Sequence, residues 1–286
     1  MATTGESDIR GLNINKIVTG FALQEYMMKQ VVRVSSSSKW QERYYKETAA
    51  DLTATAPSYI KGVSRLATFP TLEVSWTQVN SYQVKHAAED SISVEDIEGD
   101  DVDVLQRTLL RIARAIAKSV DDYIYATLTD DASVNTNAAT GGGGWDAGSG
   151  QDPIKDILVA QKDIATNNYN PHKSGFLLLS PKDYESLVTW LISTKGSSIP
   201  QFASERVVNG VVGKILGANI VVSNTVTADE AAYVVGQECG NYLTFSPLQT
   251  VVIDDAGIKK TIRSWEIGVT QTTIPKAISM ITNPQS

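Results

Sequence analysis

Reactive side chains are scarce in this sequence. Among 286 residues there is one cysteine, Cys239, and there are two histidines, His86 and His172. One cysteine excludes an internal disulfide, which fits a reducing compartment. It also excludes a Cys/His zinc arrangement. A Ser-His-Asp triad would have to recruit His86, which reads as a strand residue, or His172, which sits beside a turn proline. Both histidines read as structural or surface residues, and Cys239 as a small core or turn residue. No G-x-S-x-G stands around any serine. No apolar run approaches the roughly 20 residues that span a bilayer. The N-terminal "MATTGESDIR" lacks a basic stretch followed by an apolar one, so it does not read as a signal peptide. The expectation is a non-membrane protein made in the cytoplasm.

Positive charge is also in deficit. There are 25 Lys and Arg against 32 Asp and Glu, a formal net charge of −7. A generic nucleic-acid binder usually carries a basic domain. The glycine run at 141–144 lacks the G-x-x-x-x-G-K-[ST] order of a phosphate loop, so it reads as a flexible loop within 136–153. "DDAG" at 254–257 is ordinary turn composition. The acids Glu95, Asp96, Glu98, Asp100, Asp101 and Asp103 lack EF-hand spacing and suit the positive end of a helix that follows. No metal, cofactor or catalytic residue is expected.

What the chain does have is a long amphipathic helix. Leu105, Leu109, Ile112, Ile116, Val120 and Tyr123 fall on one narrow face at 100° per residue. Arg107, Arg111, Arg114 and Lys118 fall on nearly the opposite face, a basic stripe. The bland reading of that stripe is a solvated face. The sharper one is contact with a neighbouring subunit's acids or with packaged nucleic acid, weak and salt-sensitive for four cations.

Before this helix, Phe21–Val34 reads as a short amphipathic helix, and "WQERYYKETAADL" at 40–52 is helix-compatible. "TLEVSWTQVNSYQVKHA" at 71–87 alternates apolar and polar residues, the signature of half-buried strands. Residues 45–88 therefore read as an extended excursion of strands and turns with little core of its own. After the helix, Asp152 with Pro153 and Ser180 with Pro181 are two N-cap and N1 signals. Between them "GFLLLS" at 175–180 reads as a buried strand. Residues 195–210 read as an exposed loop. "ANIVVSN", "AAYVVGQ", "YLTFSP" and "TVVIDD" read as short strands, and the segment from Ile258 to Asn283 as two or three more. The class is α+β.

The order of these pieces resembles the major capsid proteins of tailed double-stranded DNA viruses, the Hong Kong 97 fold shared with encapsulins. "YQVKHAAEDSISVEDIEGDDVDVLQRTLLRIARAIAKSVDDYIYATL" is similar to the return of that family's extended β-hairpin, the E-loop, through an acidic lead-in to its spine helix. "DPIKDILVAQKDIATNN", "SGFLLLSPKDYESLVTWL" and "VVNGVVGKILGANIVVSNTV" are similar to its axial domain, and "IRSWEIGVTQTTIPKAISMIT" to its closing strands. The resemblance covers about 40–282. It implies an N-terminal arm at 1–44, an E-loop at 45–84, a peripheral domain with the spine helix at 85–150 and 258–286, and an axial domain at 151–257.

The resemblance further implies a structural protein of the virion capsid. It would assemble in the host cytoplasm into pentamers and hexamers of an icosahedral shell around double-stranded DNA. Partners implied with it are many copies of itself, a portal, a scaffold made as a separate chain and a decoration protein. Pro57, Tyr59, Lys61 and Arg65 are its candidate inter-subunit arm residues. Some relatives cross-link an arm Lys to an Asn on a neighbour. Lys61 has no context that assigns such an Asn, so no cross-link is expected. Two other readings stand beside this one: an encapsulin-type compartment shell, with Phe21–Val34 as a candidate cargo clasp, and, more distantly, a small-molecule enzyme of α+β fold.

Overall fold

The computed structural model describes residues 16–22, 25–47, 62–69, 77–99, 104–141, 143–147, 150–191, 213–255 and 257–285. Elements are numbered in chain order within these residues. Pro57, Tyr59, Lys61 and the expected loop at 195–210 fall outside them; Arg65 falls inside.

The central unit is a helix on a sheet. Strands β1 (Arg33–Ser36), β4 (Val84–Ser93), β10 (Gly240–Asp255) and β11 (Lys259–Thr272) form a four-stranded sheet in the order β1-β10-β11-β4. A short helix α1 (Val94–Glu98) is capped by Ser93, whose hydroxyl accepts the Asp96 N–H at 3.1 Å. Next comes α2 (Val104–Thr129), 26 residues long, which lies on β11 and β4. Of the apolar stripe that the periodicity places, Leu109, Ile112, Ile116 and Val120 are buried and Tyr123 is half-buried; Ile124, which the stripe left out, is buried too. Each such side chain contributes about 1.5–3 kcal/mol on burial. Packing of this face, more than intrinsic propensity, holds so long a helix.

The second unit is a six-stranded sheet in the order β5-β12-β9-β6-β8-β7. Its strands are β5 (Asn135–Ala138), β6 (Gly175–Leu179), β7 (Lys214–Ile215), β8 (Ala218–Val222), β9 (Glu230–Val235) and β12 (Ile278–Thr282). Helices α3 (Pro153–Thr166) and α4 (Pro181–Trp190) begin as the caps predict. Asp152 accepts the Lys155 N–H and Ser180 the Asp183 N–H, both at 3.2 Å. β6 runs through the middle of the sheet, which is why its sequence is apolar at every position. β5 and β12 pair into this sheet although they lie in segments that the sequence assigns to the peripheral domain.

Four local expectations need correction. Residues 16–22 are helical, but Met28–Gln30 is a single 3-10 turn and β1 follows, so no helix spans Phe21–Val34. The run Val31, Val32, Val34 is β-branched and favours the strand that pairs with β10. "QERYYK" is strand β2 (Gln41–Lys46), in antiparallel register with β3 (Thr77–Tyr82). Its exposure alternates with period two, which no helix does. "YLTFSP" and "TVVIDD" belong to one strand, β10, whose register with β11 shifts between Thr244 and Gln249. Pro247 lies in that shift; it has no N–H to give the ladder, so the sequence there reads as a turn.

The glycine-rich segment is no free loop. It opens with β5, and Trp145 is almost wholly buried. Gly144 has φ +73°, and a Cβ there would stand 2.4 Å from the Gln285 carbonyl carbon, so the position admits glycine alone. Buried Asp156 on α3 accepts Trp145 Nε1–H at 2.9 Å and the Thr140 N–H at 3.0 Å, and the Thr140 hydroxyl also donates to it. Asp156→Ala leaves these donors buried and unpaired. The expected cost is about 2–4 kcal/mol, read as a lower urea midpoint with an unchanged slope; a cost below about 1 kcal/mol would show that water replaces the carboxylate.

Candidate assembly surfaces and a buried charge clamp

Three features outside the hydrophobic core bear on function: the basic stripe on α2, the ribbon formed by β2 and β3, and a cluster of charge under the N-terminal segment.

Arg107, Arg111, Arg114 and Lys118 are all exposed on the face of α2 away from the sheet, as the periodicity requires. The structure splits them, however. Arg114 Nε donates to Glu25 at 2.8 Å, and Arg111 stands 3.7 Å from Asp90. Arg107 and Lys118 have no ion pair among the described residues. Arg114 and Lys118 also line a cleft of about 240 Å³ with Asp121 and the turn at Ser223–Thr225. Two of the four cations thus have an acidic neighbour within the chain, in exposed pairs of modest strength.

The ribbon carries the segment between β2 and β3. At its base Trp40 packs edge-on against Phe245, ring centroids 5.8 Å apart. Gln271 Nε2 donates to Ser81 Oγ at 3.2 Å, tying β3 to β11. Further along, residues 62–69 are exposed throughout, Arg65 among them. Leu66 and Phe69 are 107% and 87% exposed, large apolar side chains that no described residue covers.

The clamp was not foreseen from the sequence. Glu266 on β11 is 1% exposed. Lys29 Nζ, in the 3-10 turn, meets its Oε1 at 2.6 Å. The Tyr242 hydroxyl donates to Oε1 at 2.9 Å, and the Tyr26 hydroxyl donates to Oε2. The Lys29 ammonium also sits 3.6 Å from the centre of the Tyr26 ring. Beside it Asp121, on α2, accepts the consecutive N–H groups of Met27 and Met28 at 2.8 and 3.2 Å. One carboxylate thus caps the 3-10 turn and another binds its lysine. Together they hold residues 25–31 across the helix and the sheet.

Burial sets the proton affinities here. Desolvation raises Asp121 to about 6, against the two N–H bonds and Lys29, which favour its charge. Its contribution to stability is therefore complete below the ordinary carboxylate value and is lost as pH rises through about 6. Burial lowers His86, with Glu266 opposing and Lys29 assisting. Its contribution is present above pH about 6.5 and is lost as pH falls. Burial also pushes the Cys239 thiol up to about 12, where it has no nucleophilic character. His172 keeps to the surface. Asp254 and Asp255 face Lys260 and Lys259 across the β10–β11 ladder. No group of three His, Cys, Asp or Glu suited to a metal occurs among the described residues.

Comparison with solved structures defines the class. The capsid of Cyanophage P-SCSP1u aligns with a TM-score of 0.67 at 14% identity, covering 91% of this chain and 89% of that one. The protein solved as Mycobacterium phage Ogopogo aligns at 0.67 and 14%, covering 90% and 92%. A virus-like particle from Pyrococcus furiosus aligns at 0.65 and 9%, covering 95% and 99%. The fold is the Hong Kong 97-like capsid fold, as the sequence resemblance implied. The family described as "Phage capsid protein" matches residues 77–270, well over half of the chain, and the chain belongs to it. It is a structural capsid subunit and not an enzyme. A search of curated proteins found no match.

Proposed function

We propose that this chain is the major capsid subunit of a tailed double-stranded DNA virus, forming the pentamers and hexamers of an icosahedral shell. The observation that carries this reading is the extent of the family match. Residues 77–270 run from β3 at the root of the arm through the acidic lead-in and the spine helix α2 to β11. In this reading 1–44 is an N-terminal arm, 45–84 an E-loop with Pro57, Tyr59, Lys61 and Arg65 at the inter-subunit contact, and the two sheets belong to peripheral and axial domains. Arg107 and Lys118 are the cations left to meet DNA or a scaffold inside the shell. Portal, scaffold and decoration proteins are the partners such a shell employs, and the host cytoplasm is its place of assembly.

The Pyrococcus particle, which this chain matches over nearly its whole length, favours a second reading, an encapsulin-type compartment. Electron microscopy of the recombinant protein, with and without a co-expressed scaffold, tests both. Closed shells, pentamers or hexamers are the expected products. A particle large enough for a genome selects the virus, and a small one holding protein cargo selects the compartment. A monomer under every salt, pH and scaffold condition would overturn both readings.

A further inference from the structure

One buried carboxylate has a lysine bound to it and an imidazole opposite it. Glu266 is held by Lys29 from the N-terminal turn. Directly opposite it in the β4–β11 ladder stands His86. Side chains so placed on one face of an antiparallel pair have Cβ atoms about 5 Å apart. His86 is 6% exposed, and its Nδ1 lies 2.9 Å from the Ser119 hydroxyl on α2. Its Nε2 is buried and has no hydrogen-bond partner among the described residues. A buried polar atom left unsatisfied costs stability and calls for a reason.

We propose that His86 is an acid-operated release for the N-terminal segment: once protonated, its idle Nε2–H turns to Glu266, displaces Lys29 and frees residues 25–31 from α2 and β11. The titratable groups around the imidazole are Glu266 on β11, Tyr123 and Asp121 on α2, Lys29 and Tyr26 on the turn, and Tyr242 on β10. While the turn is docked, burial and the lysine keep the ring neutral. Once Lys29 and Tyr26 have left, Glu266 keeps only the Tyr242 hydroxyl, a neutral donor, and its charge draws a proton onto the imidazole. Coupling of this kind is reciprocal: the factor by which Lys29 weakens proton binding at His86 is the factor by which the proton weakens docking. Asp121 is a second carboxyl at the same turn: burial raises it, while the Met27 and Met28 N–H groups and Lys29 favour its charged form. The His86→Gln variant separates its titration from that of the imidazole.

Hydrogen exchange on the full chain between pH 7.5 and 5.5, corrected for the intrinsic pH dependence of exchange, tests this. Protection of the Met27 and Met28 amides is expected to fall about tenfold relative to amides in the middle of α2, the result when the released state binds the His86 proton about ten times more tightly than the docked state. Equal loosening of both regions, or no local loss, overturns the proposal. His86→Gln is expected to abolish the response, while His172→Gln keeps it; an acid response that persists in His86→Gln overturns it. Should His86→Gln fail to fold, the wild-type chain decides. The release midpoint must coincide with the titration of the His86 ring followed by NMR, and a different midpoint rejects the mechanism.

Discussion

Lys29→Met is expected to lower the unfolding free energy by about 3 kcal/mol at pH 7.5. Removing one partner of a buried ion pair leaves the other charge uncompensated, at a cost of about 3–5 kcal/mol. The Lys29 side chain is 18% exposed and Glu266 2%, so solvent reaches the lysine end and the low end of that range applies. Tyr26 and Tyr242 still donate to the carboxylate, but two neutral donors do not replace an ammonium. Lys29→Met combined with Glu266→Leu removes both charges. It is expected to recover most of the loss, because an apolar pair of similar volume needs no desolvated charge. Urea unfolding of the unassembled chain reads all three. If Lys29→Met costs less than about 1 kcal/mol, water reaches Glu266 and the clamp is a surface pair.

The clamp shows what sequence reading reaches and where it stops. The spine helix, its apolar face, the caps at Asp152 and Ser180 and the central strand β6 are local features. Each is written in a run of adjacent residues, and the structure places them where that run predicts. Tyr26, Lys29 and Glu266 meet across 237 to 240 residues of chain, beyond any periodicity. A signal was nonetheless present. In "SWEIGV" Glu266 stands between Trp265 and Ile267, the one charge of that stretch, and such a residue is either on a solvated face or paired inside. Alternation alone cannot choose between these. The choice is made by α2, which covers the face carrying Ile262, Ser264 and Glu266, all of them buried.

The basic stripe failed in the complementary way. Helical spacing placed Arg107, Arg111, Arg114 and Lys118 on one exposed face correctly. It could not show that Glu25 and Asp90, from the N-terminal segment and from β4, come up beside two of them. Likewise the valines at 31, 32 and 34 favour a strand by their side-chain shape, while the spacing of Phe21, Tyr26, Met27 and Val31 imitates a helix. The available partner, the edge of β10, decides.

Leu66→Asp with Phe69→Asp is expected to abolish shell formation while leaving the subunit's own stability within about 0.5 kcal/mol, the range of surface substitutions. Neither side chain is covered by any of the described residues, so no described packing is lost in the folded monomer. In a shell the same residues would be buried against a neighbour, each contributing about 1.5–3 kcal/mol, and a carboxylate at either position would have to be desolvated there. The β2–β3 ribbon supports this asymmetry. A two-stranded ribbon is marginal in water by itself; this one is steadied against the body by the Trp40–Phe245 contact, the Gln271–Ser81 hydrogen bond and the Lys46–Asp131 ion pair, none of which involves residues 62–69. In the proposed shell, apolar side chains held out on such an excursion would gain their burial from a second copy, in a heterologous contact of the kind that closes rings. Deleting residues 55–70 tests the same contact more bluntly and is expected to leave soluble, unassembled subunits. Size-exclusion chromatography and electron microscopy read assembly, and urea unfolding reads the subunit. Particles of normal size from either variant would show that the arm is ornamental. Loss of monomer stability in the double variant would show instead that Leu66 and Phe69 pack within their own chain.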